Sequence, residues 1–259
     1  MLNFLEILVK EAEERISSNY YKHVKKLSFN PISLKNAILR NKKISIIAEI
    51  KKCSPSIGDL VREINIKKVA LEMEKGGAIG ISILTEPKRF KGSLKDLIDV
   101  RKQVKLPILM KDIIISFAQI EAAANIGANA ILLIKSLFDE GFCKINLEEA
   151  IDYAHSLNLE VLLETHTEQE FDLAIKTKAD LIGINNRNLK NLKVDLNVTR
   201  RILSRKIDLN NKVIVSESGI KSVSDIQNLR KLGVHAFLIG SSIITSKNIQ
   251  EKVMEYTGL

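Results

Sequence analysis

From Ser45 onward, short apolar runs alternate with segments of helical period. Strands are predicted at Ile46–Lys51, Ile79–Leu84, Ile108–Lys111, Ala130–Ile134, Val161–Glu164, Leu181–Asn185, Val213–Glu217 and Ala236–Gly240. Helical spacing falls between them, at Ile66–Glu74, Phe117–Ile126, Leu147–Leu157, Glu168–Thr177 and Val223–Lys231. Several strands are entered through glycine turns, Gly76-Gly77-Ala78, Gly127-Ala128 and Gly233-Val234, where glycine supplies a left-handed cap to the preceding helix. Eight strand–helix units predict a parallel sheet, and eight is the number that closes a (β/α)8 TIM barrel. A doubly wound open sheet is the alternative, but no strand carries the G-x-G-x-x-G loop of that fold.

The residues ahead of this repeat read differently. Leu2, Leu5, Leu8, Val9, Ala12 and Ile16 keep helical spacing behind an Asn3/Glu6 capping pair. A second short helix is expected over Ser33–Leu39. Residues 1–44 are therefore expected to form a helical extension packed on a barrel of residues 45–259, the two making one structural domain.

Composition narrows the classes. The longest apolar runs, such as Ala130–Ile134, are too short to span a bilayer. The N-terminal stretch has no basic region or small-residue cleavage site, and it is too acidic for a transit peptide. Cys53 and Cys143 are isolated, without disulfide or zinc spacing. A cytoplasmic protein is expected, with no membrane partner. The net charge of +9 suits an anionic partner, but the lysines are scattered and there is no Trp, so no nucleic-acid interface is expected.

In such a barrel, chemistry collects at the C-terminal strand ends. The first strand lies in SIIAEIKKCSPS (Ser45–Ser56): Ile46, Ala48 and Ile50 form one apolar face, while the other ends in Glu49 and Lys51. The other ends bring Thr85, Glu86 and Phe90, then Lys111 and Asp112, Glu164, Asn185 and Arg187, and Glu217 with Ser218. Two lysines, an arginine and several carboxylates on one rim point to a site rather than to packing. After the last two strands, SESGIKS and IGSSI place Gly219, Gly240 and Ser241 where bare backbone N–H groups can bind phosphate.

The segments IAEIKKCSPS, ILTEPKRFKGS, ILMKDIIIS, GINNRNL, VSESGI and AFLIGSS, in this order, closely resemble indole-3-glycerol phosphate synthase, over essentially the whole chain. The resemblance implies a carboxy-lyase of tryptophan biosynthesis that needs no metal or cofactor. Its phosphorylated small-molecule substrate would be 1-(2-carboxyphenylamino)-1-deoxyribulose 5-phosphate, cyclised with loss of carbon dioxide and water. It implies Lys111 as general acid, its pKa lowered by Lys51 beside it, and Glu164 for the dehydration, with Glu49 and Asn185 positioning. Arg187 would grip the benzoate carboxylate and Phe90 line the ring pocket. Ser54, Ser56, Glu217, Ser218 and Leu238 complete the substrate contacts, and Gly219, Gly240 and Ser241 hold the phosphate. A monomer is expected, without the fused isomerase domain of some relatives.

Two positions depart from the family. Ile57 stands where many relatives have lysine, and Arg89 where an aromatic often precedes Phe90, which is expected to alter loop closure and ring packing respectively. His166, just past Glu164, is expected to be a loop histidine without a direct role. A phosphoribosyl isomerase or a Schiff-base aldolase would also bind phosphate on such a barrel. The lysine pair and Arg187, however, suit a carboxylate that is lost.

Overall fold

Alternation along each strand sorts its residues into two layers. In the computed structural model, which describes residues 3–22, 24–55, 57–61, 64–205 and 208–258, parallel strands close a barrel. They are β1 (Ser45–Ile50), β2 (Gly80–Leu84), β3 (Ile108–Lys111), β4 (Ala130–Ile134), β5 (Glu160–Thr165), β6 (Leu181–Asn185), β7 (Val213–Glu217) and β8 (Ala236–Ile239). Closure comes from β1, which pairs with β2 on one side and β8 on the other. The predicted limits of β3, β4, β6 and β7 hold; β2 and β8 differ by one residue at one end, and β1 and β5 by one residue at both ends. Gly77, Gly127 and Gly233 have φ of 89°, 94° and 98°, the left-handed turns expected of them. Helices at Leu94–Arg101 and Asn197–Leu203, not evident from periodicity, complete the alternation.

Ile46, Ala48 and Ile50 pack outward against the helices, in one apolar layer with Val69, Met73 and Leu97. Ile47 points inward, clustered with Leu109, Leu132, Leu162 and Val215. Two residues further along four of these strands the inward positions are charged: Glu49, Lys111, Glu164 and Glu217. The barrel is thus filled by an apolar layer below and an ionic one above. Charges were affordable only at the C-terminal end, where cavity and solvent lie close.

Among the described residues, two helices precede the barrel. α1 (Phe4–Ser17) opens with the capping box formed by Asn3 and Glu6, and α2 (Leu34–Arg40) is capped by Ser33. α2 closes the N-terminal end of the barrel. Ser33 Oγ and the Lys35 N–H both donate to Glu160 at the start of β5, and Leu34 sits over Gly80, where a Cβ would come within 2.8 Å of it.

α1 instead reaches the opposite rim through Arg15, which is 4% exposed. Arg15 Nη1 donates to Glu86 at 3.1 Å and Nη2 to Asp112 at 3.0 Å. Asp112 also accepts from Tyr21 and Thr85. Glu86 accepts the backbone N–H groups of Lys88, Arg89 and Phe90. One guanidinium therefore holds the carboxylate beside Lys111 and the carboxylate that shapes the Phe90 loop.

Arg15→Ala would leave those two buried carboxylates without their cation. A loss of about 3–5 kcal/mol is expected in urea unfolding, the usual cost of removing one partner of a buried ion pair. Arg89→Ala breaks the more exposed pair with Glu11 and is expected to change stability by less than about 1 kcal/mol. Equal losses for both would contradict this reading.

Candidate active site

The charged layer opens into a cavity of about 1320 Å³ at the C-terminal ends of the strands. Lys111 is its centre. Its Nζ lies 2.7 Å from Glu217 Oε2, 3.6 Å from Glu49 Oε2 and 3.7 Å from Glu164 Oε2. Burial alone would drive the ammonium pKa down, but Glu217, Glu49 and Glu164 outweigh it and leave the pKa raised. This overturns the lowered pKa expected from a neighbouring lysine. Lys51 is turned to Glu49, at 2.7 Å, so its charge is spent on that carboxylate.

The carboxylates differ from one another. Burial disfavours charge on Glu49, yet Lys51 and Lys111 hold its pKa below the usual carboxylate range. Glu164 is likewise depressed despite burial, by the neighbouring His166 imidazole, by Lys111 and by Asn185. Glu217 goes the other way. Burial and the charges of Glu164 and Glu49 raise its pKa, and Lys111 only partly offsets them. Glu217 stands beneath Lys111, fully buried, and does not line the cavity.

His166 is the clearest residue that sequence reasoning set aside. Its Nε2 is 3.2 Å from Glu164 Oε1 and its Nδ1 is 3.5 Å from Glu170 Oε2. Burial opposes its charge, but the two carboxylates raise its pKa to about 9. His166 was expected to have no direct role, and it is not among the residues lining the cavity; its charge instead acts through Glu164, whose ionised form it favours. The Glu-x-His spacing at a strand end was the available signal.

Around this centre the cavity is lined by Glu49, Lys51, Phe90, Lys111, Glu164, Asn185 and Arg187, as expected, together with Ser218, Gly219, Leu238, Gly240 and Ser241. Asn185 Oδ1 accepts the N–H of Arg187 at 2.9 Å, and Arg187 Nη1 donates to Leu192 O. Phe90, Leu8, Leu132 and Leu189 contribute an apolar wall. Leu8 belongs to α1, a contribution the sequence did not announce. Ile57, 64% exposed, sits at the cavity mouth. Arg89 is turned away from the ring pocket toward Glu11 of α1, 2.6 Å away, so its effect on ring packing is indirect. Ser54 is buried in a small hairpin of Cys53–Ser54 with Gly58–Asp59 and is not among the lining residues. Ser56 lies outside the described residues.

At the other end of the cavity, Ser218 and Gly219 have φ of 65° and 85°. A Cβ on Gly219 would come within 2.6 Å of Val194. The short helix Ser241–Ile244 begins after Gly240 without a side-chain cap. Its first intrahelical donors are Ile243 and Ile244, both to Gly240 O, so the Ser241 and Ser242 N–H groups come before the hydrogen-bonded turn. Among the described residues no group of three His, Cys, Asp or Glu side chains has metal-binding geometry, and no helix is long and apolar enough to cross a membrane.

The family model described as "Indole-3-glycerol phosphate synthase" matches residues 4–256. A Methanocaldococcus jannaschii protein of that name is 48% identical over 230 residues, covering 87% of this chain and 83% of its own. One from Aquifex aeolicus is 43% identical, covering 82% and 81%. Among solved structures, an N-acetylmannosamine-6-phosphate 2-epimerase from Clostridium perfringens superposes with a TM-score of 0.61 at 14% identity, covering 90% of this chain and 99% of its own. A thiamine phosphate pyrophosphorylase from Pyrococcus furiosus gives 0.58 at 16%, covering 86% and 96%. These two likenesses show the fold alone.

A histidine whose pKa is raised on folding contributes stability that is complete below its unfolded pKa, 6.5, and is lost as pH rises through about 9. The stability difference between the wild type and His166→Asn is therefore expected to shrink steadily over that window. An NMR titration should show the His166 ring deprotonating near 9. A midpoint near 6.5 would contradict the assignment.

Proposed function

The chain belongs to the indole-3-glycerol phosphate synthase family, and on that premise we propose how its strand ends divide the work. The protein is a carboxy-lyase of tryptophan biosynthesis. It cyclises 1-(2-carboxyphenylamino)-1-deoxyribulose 5-phosphate to indole-3-glycerol phosphate, releasing carbon dioxide and water. The observation that carries the proposal is the placing of the Lys111 ammonium among three carboxylates on the cavity floor.

As the aromatic carbon bonds to the ribulose carbonyl carbon, negative charge develops on the carbonyl oxygen. Lys111 donates a hydrogen bond and then a proton to that oxygen. A raised pKa suits this task, because the ammonium is always loaded and the alkoxide it meets is itself strongly basic. Arg187 grips the carboxylate through two parallel hydrogen bonds until carbon dioxide leaves. Its pKa is lowered by burial, against the pull of Glu49.

The apolar wall around Phe90 holds the ring close to the carbonyl, so that the step is intramolecular. Glu164, kept ionised by His166, removes a proton as the hydroxyl departs as water. Glu49 and Asn185 fix Lys51, Lys111 and Glu164 in register. Lys51 gives the departing hydroxyl the proton with which it leaves as water, while Glu164 takes the proton lost from the substrate. Backbone N–H groups at Gly219, Gly240 and Ser241 bind the phosphate.

We read a monomer as the working unit, since the strand ends of one barrel carry each of the roles assigned above. The two free thiols favour a reducing, cytoplasmic setting.

Incubation with the synthetic substrate should generate indole absorbance and fluorescence, and prolonged EDTA dialysis should leave that rate unchanged. Restoration of a lost rate by zinc or magnesium would overturn the assignment of the acid to Lys111. Lys111→Ala should lower turnover by roughly a hundred-fold or more while substrate binding is retained. Borohydride added with substrate should leave no adduct. A reduced substrate adduct found on Lys111 by mass spectrometry would move the chemistry to a covalent imine.

A further inference from the structure

Asn186 follows β6 directly, between Asn185 and Arg187, and is 1% exposed. It does not line the cavity, yet all of its polar atoms are engaged. Its Nδ2 donates to Ser216 Oγ at 3.1 Å, to Glu217 O at 2.9 Å and to Ser218 O at 3.1 Å. Its Oδ1 accepts from Thr199 N at 3.2 Å and from Thr199 Oγ1 at 2.8 Å. Its own N–H donates to Glu217 O. A flipped amide would turn its oxygen toward the carbonyls of Glu217 and Ser218, which can only accept, so the orientation is fixed by its surroundings.

The carbonyls of Glu217 and Ser218 bracket the two soft dihedrals of Ser218. That serine has φ of 65°, a left-handed conformation disfavoured for any residue with a Cβ. A residue held there persists only when its surroundings over-determine it. The surroundings here are the Asn186 amide, anchored from behind by Thr199 in the helix Asn197–Leu203. Gly219 comes next, also left-handed at 85°, and its N–H direction is set by the Ser218 dihedrals.

We propose that Asn186 is a positioning residue that fixes the left-handed Ser218–Gly219 turn and thereby aims the backbone donors at the phosphate end of the cavity. The inference rests on the reading of that end as the phosphate site. It assigns the two asparagines in sequence to separate tasks. Asn185 faces the reacting groups, while Asn186 works through the backbone of the neighbouring strand end.

The test compares the wild type, Asn186→Ala, Asn186→Asp and Thr199→Val, using inorganic phosphate as a competitive probe alongside substrate kinetics. The wild type should bind phosphate in competition with substrate. Asn186→Ala should weaken phosphate affinity and raise KM by about ten-fold or more, with kcat changed less than about three-fold, the pattern of lost uniform binding. In Asn186→Asp the carboxylate repels the carbonyls of Glu217 and Ser218 that it faces. Once protonated, it regains one O–H donor.

Relative to the wild type at each pH, phosphate affinity of Asn186→Asp should therefore recover as pH falls from about 8 to about 5, burial among carbonyls having raised the carboxyl pKa. Thr199→Val keeps the three donations and should stay within about two-fold of the wild type. Unchanged phosphate affinity and KM in Asn186→Ala, with the wild type binding phosphate, would overturn the inference. So would the absence of pH recovery in Asn186→Asp, which decides the matter if the alanine variant does not fold. A wild type that fails to bind phosphate would instead overturn the reading of the site.

Discussion

One ammonium facing three buried carboxylates is the constraint on which the rest of this barrel depends. Charges taken out of water are expensive unless paired, and an excess of one sign is more so. Lys111 cannot neutralise Glu217, Glu49 and Glu164 by itself. The structure supplies Lys51 to Glu49 and His166 to Glu164. Glu217, with no second cation beside it among the described residues, is the carboxylate whose pKa rises. The pattern leaves an ammonium fully charged and facing a cavity where negative charge would develop, the arrangement that lowers a barrier by preorganisation rather than by reorganisation.

The scaffold makes room for this cluster by omission. Two interior glycines lie against two of the carboxylates: a Cβ on Gly183 would come within 2.4 Å of Glu217 Oε1, and one on Gly240 within 2.5 Å of Glu49 Oε1. Gly240 was read from the sequence as a phosphate contact. Its lack of a side chain is equally required by Glu49, so a bulky substitution there disturbs the ionic layer as well as the phosphate end. The two functions meet at one residue because β1 and β8 are neighbours in the barrel.

Much of this was legible in the chain. Period-2 apolar runs and glycine turns determine the strand order and the rim, and the inward charges of Glu49, Lys111, Glu164 and Glu217 could be read from the ends of those runs. What could not be read were partners remote in sequence. The sign of the Lys111 shift depends on carboxylates from three other strands. A neighbouring lysine in the motif suggested the opposite sign until Lys51 was found turned to Glu49. Arg15 and Asn186 sit in a helix and a strand end with no pattern of their own, and their meaning comes from Asp112, Glu86 and Ser218. Ser54, given by the resemblance as a substrate contact, is buried in the small hairpin and is not among the residues lining the cavity.

The central claim is that Lys111 is an ammonium stabilised by its neighbours. Its most direct test is a heteronuclear NMR titration of the lysine side chains, with Lys111→Arg identifying the resonance. The account predicts that Lys111 stays charged beyond 10.5, the pKa of an unperturbed lysine, and therefore shows no transition through the range where the other lysines begin to titrate. A deprotonation midpoint below about 8, the range of a lysine tuned as a base, would contradict it.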